Sequence, residues 1–326
     1  MGKKNVRVTR NQILNYKEDS NESKIWGGRR ARRYRPSIFK RLCNFSLYIV
    51  LIACITGLFA MYGPYNGFRD WYITTAMTTM NHQYLATWFY NSETIANVLD
   101  RNKMVEVDLI TDPTLVTTTA STAKVTYANE YEEQILEKDL QHPEYKIIKI
   151  KESAYTGYLA VIYDPSSIQT LVTSDLNKEG QYLMDMAEEA GATIAINGGV
   201  FTGLSTSKED LKAQEIAYGG NGGKPQGITI SKGEVITNTA YDGAGGVIGF
   251  TEDNKLVLGR MTLDQAQSLN VRDAVTCGPF LIINGQASTI VGNGGWGTAP
   301  RTAIGQRQDG IVLMLSIDGR RASWAM

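Results

Sequence analysis

"TAPRTAIGQRQDGIVLMLSIDGRR", residues 298–321, sets two short β-branched runs on either side of Asp309-Gly310, the pattern of a strand, a tight turn and a second strand. A two-residue turn there puts Gln308 opposite Ile311 and carries Arg301 to a position directly across from Asp318. Paired residues share a face. An arginine fixed at a strand entrance by Pro300 and Thr302, with a carboxylate leaving the partner strand at the same rim, predicts an anion pocket that contains a carboxylate. An exposed edge salt bridge, worth about 0–1 kcal/mol, is the plainer alternative.

Upstream, the same texture holds back to Tyr145: "YKIIKI", "YLAVIY", "IQTLVT" and "TIAI" are short apolar strand candidates, and "GQYLMDMAEEAG" is a helix between the last two. Lys232-Gly233, Asp253-Asn254 and Asn284-Gly285 mark further hairpins, since these residue types tolerate positive φ. The fold class expected is α+β, a strand-rich mixed domain with helices over residues 145–326. Glycine clusters at 219–223, 243–246 and 292–297 are expected as mobile loops. None has the spacing of a nucleotide-binding turn, which argues against an NTPase or a dehydrogenase.

Ahead of that domain the charge is very uneven. Residues 1–46 hold thirteen Lys/Arg against Glu18, Asp19 and Glu22, so a chain of zero formal charge carries about −10 over the remainder. No charged side chain occurs from Leu42 to Phe68, and "FSLYIVLIACITGLFAMY" is long and apolar enough for a transmembrane helix, placed at 42–64. Residues 1–41 form a basic tail, which the positive-inside bias places in the cytoplasm, leaving the C-terminal domain extracellular on a single-pass anchor. Topology and anionic headgroups account for the tail without nucleic acid, because no aromatic residues interleave its charges. Residues 65–144 are expected as a helical stalk and linker, with Ser92 capping "ETIANVLDRN" and "ANEYEEQILEKDL" as a solvated helix. Three cysteines, two of them at or in the apolar span, exclude a disulfide framework, and Cys277 is expected as a small buried apolar residue. No cofactor is assigned, and no His/Cys/Asp/Glu cluster has the spacing of metal ligands.

A second constellation is Asn197-Gly198-Gly199, closing "TIAI". Successive glycines allow backbone N–H groups to turn toward an anion, and Asn197 adds an amide, although spacing alone favours a plain strand-end turn.

Taken in order, "AINGGVF", "PQGITISKGEV", "GGVIGF", "CGPFLIINGQ", "PRTAIGQRQDG" and "IDGR" resemble the phosphodiester glycosidase family, of the mannose 6-phosphate uncovering and bacterial exopolysaccharide biosynthesis type. The resemblance covers roughly residues 145–326 and implies hydrolysis of a sugar-1-phosphodiester to a free sugar and a phosphomonoester. On that footing Arg301 would hold the phosphate in a bidentate fork, with Arg320 as a second candidate. Asp318 would order water or support oxocarbenium-like charge, Asn197, Gly198 and Gly199 would bind the polar edge of the substrate, and Trp296 would stack on a sugar ring. Cell-envelope glycans or glycosyl phosphodiesters are the expected partners, together with the lipid bilayer. The family continues past the "DGR" strand with a helix and a "DGGGS"-like turn, whereas this chain ends at "RRASWAM", so a C-terminally truncated chain with an incomplete sheet is expected. A noncatalytic envelope polysaccharide-binding or assembly protein is the alternative function.

Overall fold

A computed structural model of the chain describes residues 37–79, 82–117, 127–153, 155–202, 222–296 and 299–319. It divides into two units, residues 1–64 and 65–326. In the first, α1 (Ile38–Tyr62) is capped by Ser37, whose Oγ accepts from the Lys40 amide at 3.3 Å. Its 25 residues, whose most apolar 18-residue window has a mean hydropathy of 2.1 and is nowhere buried, rise about 37 Å, enough to cross a bilayer core of about 30 Å.

The second unit opens with three short helices, α2 (Asn66–Met77), α3 (Tyr84–Thr87) and α4 (Ser92–Arg101). Asn91, one residue before the expected Ser92, is the cap of α4. Its side-chain oxygen accepts from the Thr94 amide at 2.8 Å, while Ser92 takes the first helical position. An extended stretch follows, in which β1 (Met104–Val105) will find a partner late in the chain, and then α5 (Glu130–Leu136), capped by Asn129. β2 (Tyr145–Lys151) and β3 (Thr156–Ile162) lead to α6 (Leu183–Glu189). The strands β4 (Phe201–Thr202), β5 (Lys224–Pro225), β6 (Ile228–Ser231), β7 (Glu234–Asn238), β8 (Gly246–Thr251) and β9 (Leu256–Gly259) precede α7 (Leu263–Ser268). The chain continues through β10 (Val271–Cys277), β11 (Ile282–Ile283), β12 (Gln286–Ala287) and β13 (Thr289–Ile290) to β14 (Arg301–Gln306) and β15 (Val312–Ile317).

Two antiparallel sheets organise these elements, one in the order β14-β15-β3-β2 and the other in the order β7-β6-β10-β8-β9. Side-chain alternation sends Ala160, Ile162, Val312, Ile304 and Met314 from the first sheet onto Ile248, Phe250, Leu256 and Leu258 of the second. The opposite face of the first sheet, through Ile148, Leu159, Val161 and Leu315, covers Ile135 of α5. The opposite face of the second, through Ile228, Val247, Val257 and Ala274, covers Ala266 of α7. The resulting layers are helix, sheet, sheet, helix, and β3 is buried on both faces because it lies inside two of the three interlayer cores. The mixed α+β class expected from the sequence is therefore the class observed.

Three local expectations are corrected. "IQTLVT" (168–173) and "TIAI" (193–196) form no strand. Their β-branched residues seek burial, and Ile168 and Ile194 do reach the inter-sheet core, but a strand also needs a neighbouring backbone with which to exchange hydrogen bonds. The third concerns the opening hairpin. Arg307 N donates to Ile311 O at 2.9 Å and Gly310 sits at φ 88°, so the loop is the three residues Gln308, Asp309 and Gly310. The register moves by one, and Arg301 pairs with Ile317.

The glycine clusters, where described, are packed loops. A side chain at Gly245, which has φ 84°, would collide with the Cys277 carbonyl, and one at Gly295 with the Asn102 carbonyl. Their glycines permit close backbone approach. Most of the cluster at 219–223 lies outside the described residues.

Candidate functional site

β14 is an edge strand, and the candidate residues gather around its first two positions. Thr302 Oγ1 donates to Asn197 Oδ1 at 3.1 Å, which fixes the Asn-Gly-Gly bend beside the strand. Gly199, at φ 76°, lies against Val275, and the next residue, Val200, donates its amide to Thr276 O at 2.8 Å. The bend is thus held between β14 of one sheet and β10 of the other, with Asn197 and Gly198 exposed.

Arg301 turns the other way. Its Nη1 donates to Pro300 O at 3.2 Å, its Nη2 donates to the Trp296 carbonyl, and its guanidinium lies 5.9 Å from the centre of the Trp296 ring. The indole face and the cation attract one another electrostatically, so each orients the other.

Asp318 stands at the same end of the sheet, but the expected opposition to Arg301 is corrected. With Ile317 across from Arg301, Asp318 falls one residue out of step, and a one-residue shift exchanges faces. Its Oδ1 accepts from the Thr156 amide at 2.9 Å, and its own amide donates to Thr156 O at 3.0 Å, so it closes the end of the β15–β3 ladder. Gly319, at φ 49°, crosses so close to Ala299 and Pro300 that any side chain would strike the Ala299 carbonyl. That crossing keeps the Asp318 segment against the chain entering Arg301. Arg320 lies outside the described residues. The structure therefore brings Asn197 to Thr302, brings Trp296 to Arg301, and leaves Asp318 at the same rim, tied to β3.

Sequence reasoning missed the polar row that begins at Thr302. The register aligns Thr302 with Ser316, Ser316 with Tyr158 and Tyr158 with Lys149, all exposed on the face that meets Asn197. Lys149 Nζ lies 5.7 Å from the centre of the Tyr158 ring. Only the correct pairing of four strands reveals this row, and no local motif announces it. A separate open cavity of about 350 Å³, lined by Ser166, Lys232, Arg272 and Asp273, lies toward the start of β10, whereas the Asn197 bend sits against Val275 and Thr276.

The loop that carries Trp296 is secured by the helices ahead of the domain. Asn102, 5 % exposed, accepts from Asn293 N at 3.0 Å through Oδ1, while its Nδ2 donates to Asp70 Oδ2 at 2.8 Å and Val98 O at 2.9 Å. Asn293 Nδ2 donates to Thr74 Oγ1 at 3.1 Å, and β1 pairs with β13 immediately before the loop. Arg101 Nε donates to Asp70 Oδ2 at 2.8 Å. Burial pushes the Asp70 carboxyl up, but the hydrogen bonds from Arg101 and Asn102 and the charges of Arg101 and Arg69 outweigh it, so the group sits below the usual carboxylate range. A depressed folded pKa contributes stability that is present above the unfolded value and is lost as pH falls through the folded one. Asp70→Asn is accordingly expected to lower stability at neutral pH by about 1–3 kcal/mol, with the gap to the native chain closing below about pH 4. Denaturant midpoints recorded across that range are the check, and a gap independent of pH would exclude the ion pair as its cause.

Residues 190–325 match the phosphodiester glycosidase family model. The matched stretch holds the Asn197 bend, β10 and the hairpin that starts at Arg301. Among solved structures, the chain is similar to the zebrafish N-acetylglucosamine-1-phosphodiester α-N-acetylglucosaminidase catalytic domain auto-inhibited by its pro-peptide. The identity is 19%, the TM-score 0.39, and the match covers 56% of this chain and 64% of that one, too loose a likeness to carry the fold. The chain thus spans less than two thirds of that relative's length. No curated protein matches it.

Proposed function

We propose that the chain is a membrane-anchored hydrolase of sugar-1-phosphodiester linkages in cell-envelope polysaccharides, with its C-terminal domain outside the cell. The observation that carries this reading is the family match over residues 190–325, which spans the Asn197 bend and the strand entrance of Arg301. α1 supplies the anchor, and the basic tail before it sets the orientation.

A phosphodiester loses a phosphomonoester readily, so the site has to neutralise the diester and deliver water to the anomeric carbon more than it has to protonate a poor leaving group. Arg301, whose side chain leaves β14 on the face opposite Asn197 and Asp318, binds the phosphate by reaching around that edge strand from its place beside the Trp296 carbonyl and ring. Asn197, held by Thr302, binds sugar hydroxyls, and the exposed bend at Gly198 and Gly199 lets the substrate approach the backbone. Asp318, fixed through Oδ1, uses its second oxygen to order the attacking water. Trp296 and Arg320 complete the set as substrate-binding residues.

Release of free sugar from a synthetic sugar-1-phosphodiester by the purified full chain is the test. The native chain is expected to release it, and Arg301→Ala to do so about 10²–10³-fold more slowly, the range for removing one preorganised donor from a developing anion. Undiminished release would remove Arg301 from the mechanism. A second reading, a noncatalytic binder of envelope polysaccharide, is favoured by the engagement of the Asp318 carboxylate with the Thr156 amide. It predicts retention of the polymer with no release from any diester.

A further inference from the structure

From Tyr65 to Ser92 the only Lys, Arg, Asp or Glu side chains are Arg69 and Asp70, and Asp70 is turned inward to Arg101 and Asn102. The segment is nonetheless poor in buried side chains. Ile73, Thr74, Ala76, Ala86 and Tyr90 form its small interior, pinned by Tyr72 Oη donating to Leu85 O at 3.1 Å. Most of its large aromatic residues face outward instead, Tyr90 being buried and Tyr72 half-buried. Trp88 is 72 % exposed, Trp71, Tyr84 and Phe89 are also exposed, and the rings contact one another in tilted pairs, Tyr84 with Trp88 at 4.7 Å and Phe68 with Trp71 at 5.7 Å between centres. A water-facing helix normally carries charge on its outer side, and clustered exposed rings without charge mark a contact surface.

The occupant follows from the chain itself. Only Gly63, Pro64 and Tyr65 separate the end of α1 from the start of α2, and three residues reach at most about 11 Å. Trp and Tyr rings favour the headgroup level of a bilayer, where an apolar body and a polar tip are both satisfied. We infer that α2 and α3 bed their aromatic side chains, Trp71, Tyr84 and Trp88 foremost, in the interfacial layer of the membrane that α1 spans. This inference rests on the membrane-anchored reading above. Because Asn293 bonds both Thr74 of α2 and Asn102, the bedded helices also hold the Trp296 loop.

The test uses the full chain in phosphatidylcholine–phosphatidylglycerol vesicles, in a variant whose other three tryptophans are phenylalanine (W26F, W296F, W324F). Flotation after an alkaline wash reports on α1 alone. Emission with lipids brominated near the headgroup reports on Trp71 and Trp88, and shallow bromines are expected to quench about half of it while aqueous iodide quenches little. Flotation without bromine quenching, with iodide effective, overturns the bedding and spares the anchor. Flotation with neither quencher effective also overturns it, in favour of a second copy or another protein over the rings. Failure to float removes the anchored reading and the bedding with it. Hydroxyl-radical footprinting of the native chain in nanodiscs checks the result without substitutions: Trp88 is expected to react several-fold less than Tyr182, which is 83 % exposed, and equal reaction overturns the proposal.

Discussion

Replacing Asp273 with Ala is expected to cost about 3–5 kcal/mol of stability, the penalty for removing one member of a buried ion pair. Asp273 is 2 % exposed on β10. Its Oδ1 accepts from the amides of Thr170 at 2.9 Å and Lys232 at 3.2 Å, and Oδ2 meets the Arg272 guanidinium. Arg272 in turn donates to Ile168 O at 2.8 Å, Pro165 O at 3.2 Å and Asn254 Oδ1 at 3.1 Å. One carboxylate therefore secures the β6–β7 turn and the strandless segment 165–170, and deleting it leaves the Thr170 and Lys232 amides without this acceptor and the Arg272 guanidinium without its counter-charge. Asp273→Asn keeps one acceptor oxygen and should recover part of the loss. Denaturant midpoints of the detergent-solubilised full chain measure both, and a loss below about 1 kcal/mol for the alanine variant would place Asp273 with ordinary surface pairs.

How far the fold was legible depends on how local each signal was. Turns that need positive φ announce themselves, and Lys232-Gly233, Asn254 and Asn284-Gly285 adopt it where expected. "YKIIKI" and "YLAVIY" also formed the predicted strands, because each supplies an apolar face to a core. Asp309-Gly310 misled, since Asp-Gly fits a two-residue turn and also the last two positions of a three-residue loop, and the two differ by the residue that decides which faces Arg301 and Asp318 occupy. "TIAI" misled for a different reason, since apolar pattern records burial and not pairing. At the candidate site, Asn197, Trp296 and Arg301 were legible as residue types in glycine-rich or strand-entrance settings. Their partners were not. Thr302, Tyr158 and Asn102 acquire meaning only through contacts with chain that is distant in sequence, 191 residues away for Asn102 and Asn293.

The sharpest separation of hydrolase from binder comes from Asp318→Asn. An asparagine keeps a carbonyl oxygen where the Thr156 amide now donates at 2.9 Å, so the strand end should survive and the unfolding midpoint stay within about 0.5 kcal/mol of the native value. What the substitution removes is the negative charge and the basicity of the second oxygen. If Asp318 orders the attacking water and faces the oxocarbenium-like charge, kcat/KM for a sugar-1-phosphodiester should fall about 10²–10⁴-fold, the usual worth of a positioned general base. Asp318→Ala loses the strand-end acceptor as well, and should show the same kinetic defect together with a lower midpoint. A fall in activity shared by both variants, with stability lost only in the second, assigns the carboxylate to the chemistry. Full activity in Asp318→Asn would instead leave Asp318 as the residue that closes the β15–β3 ladder, and a hydrolase would then have to find its carboxylate elsewhere along the rim.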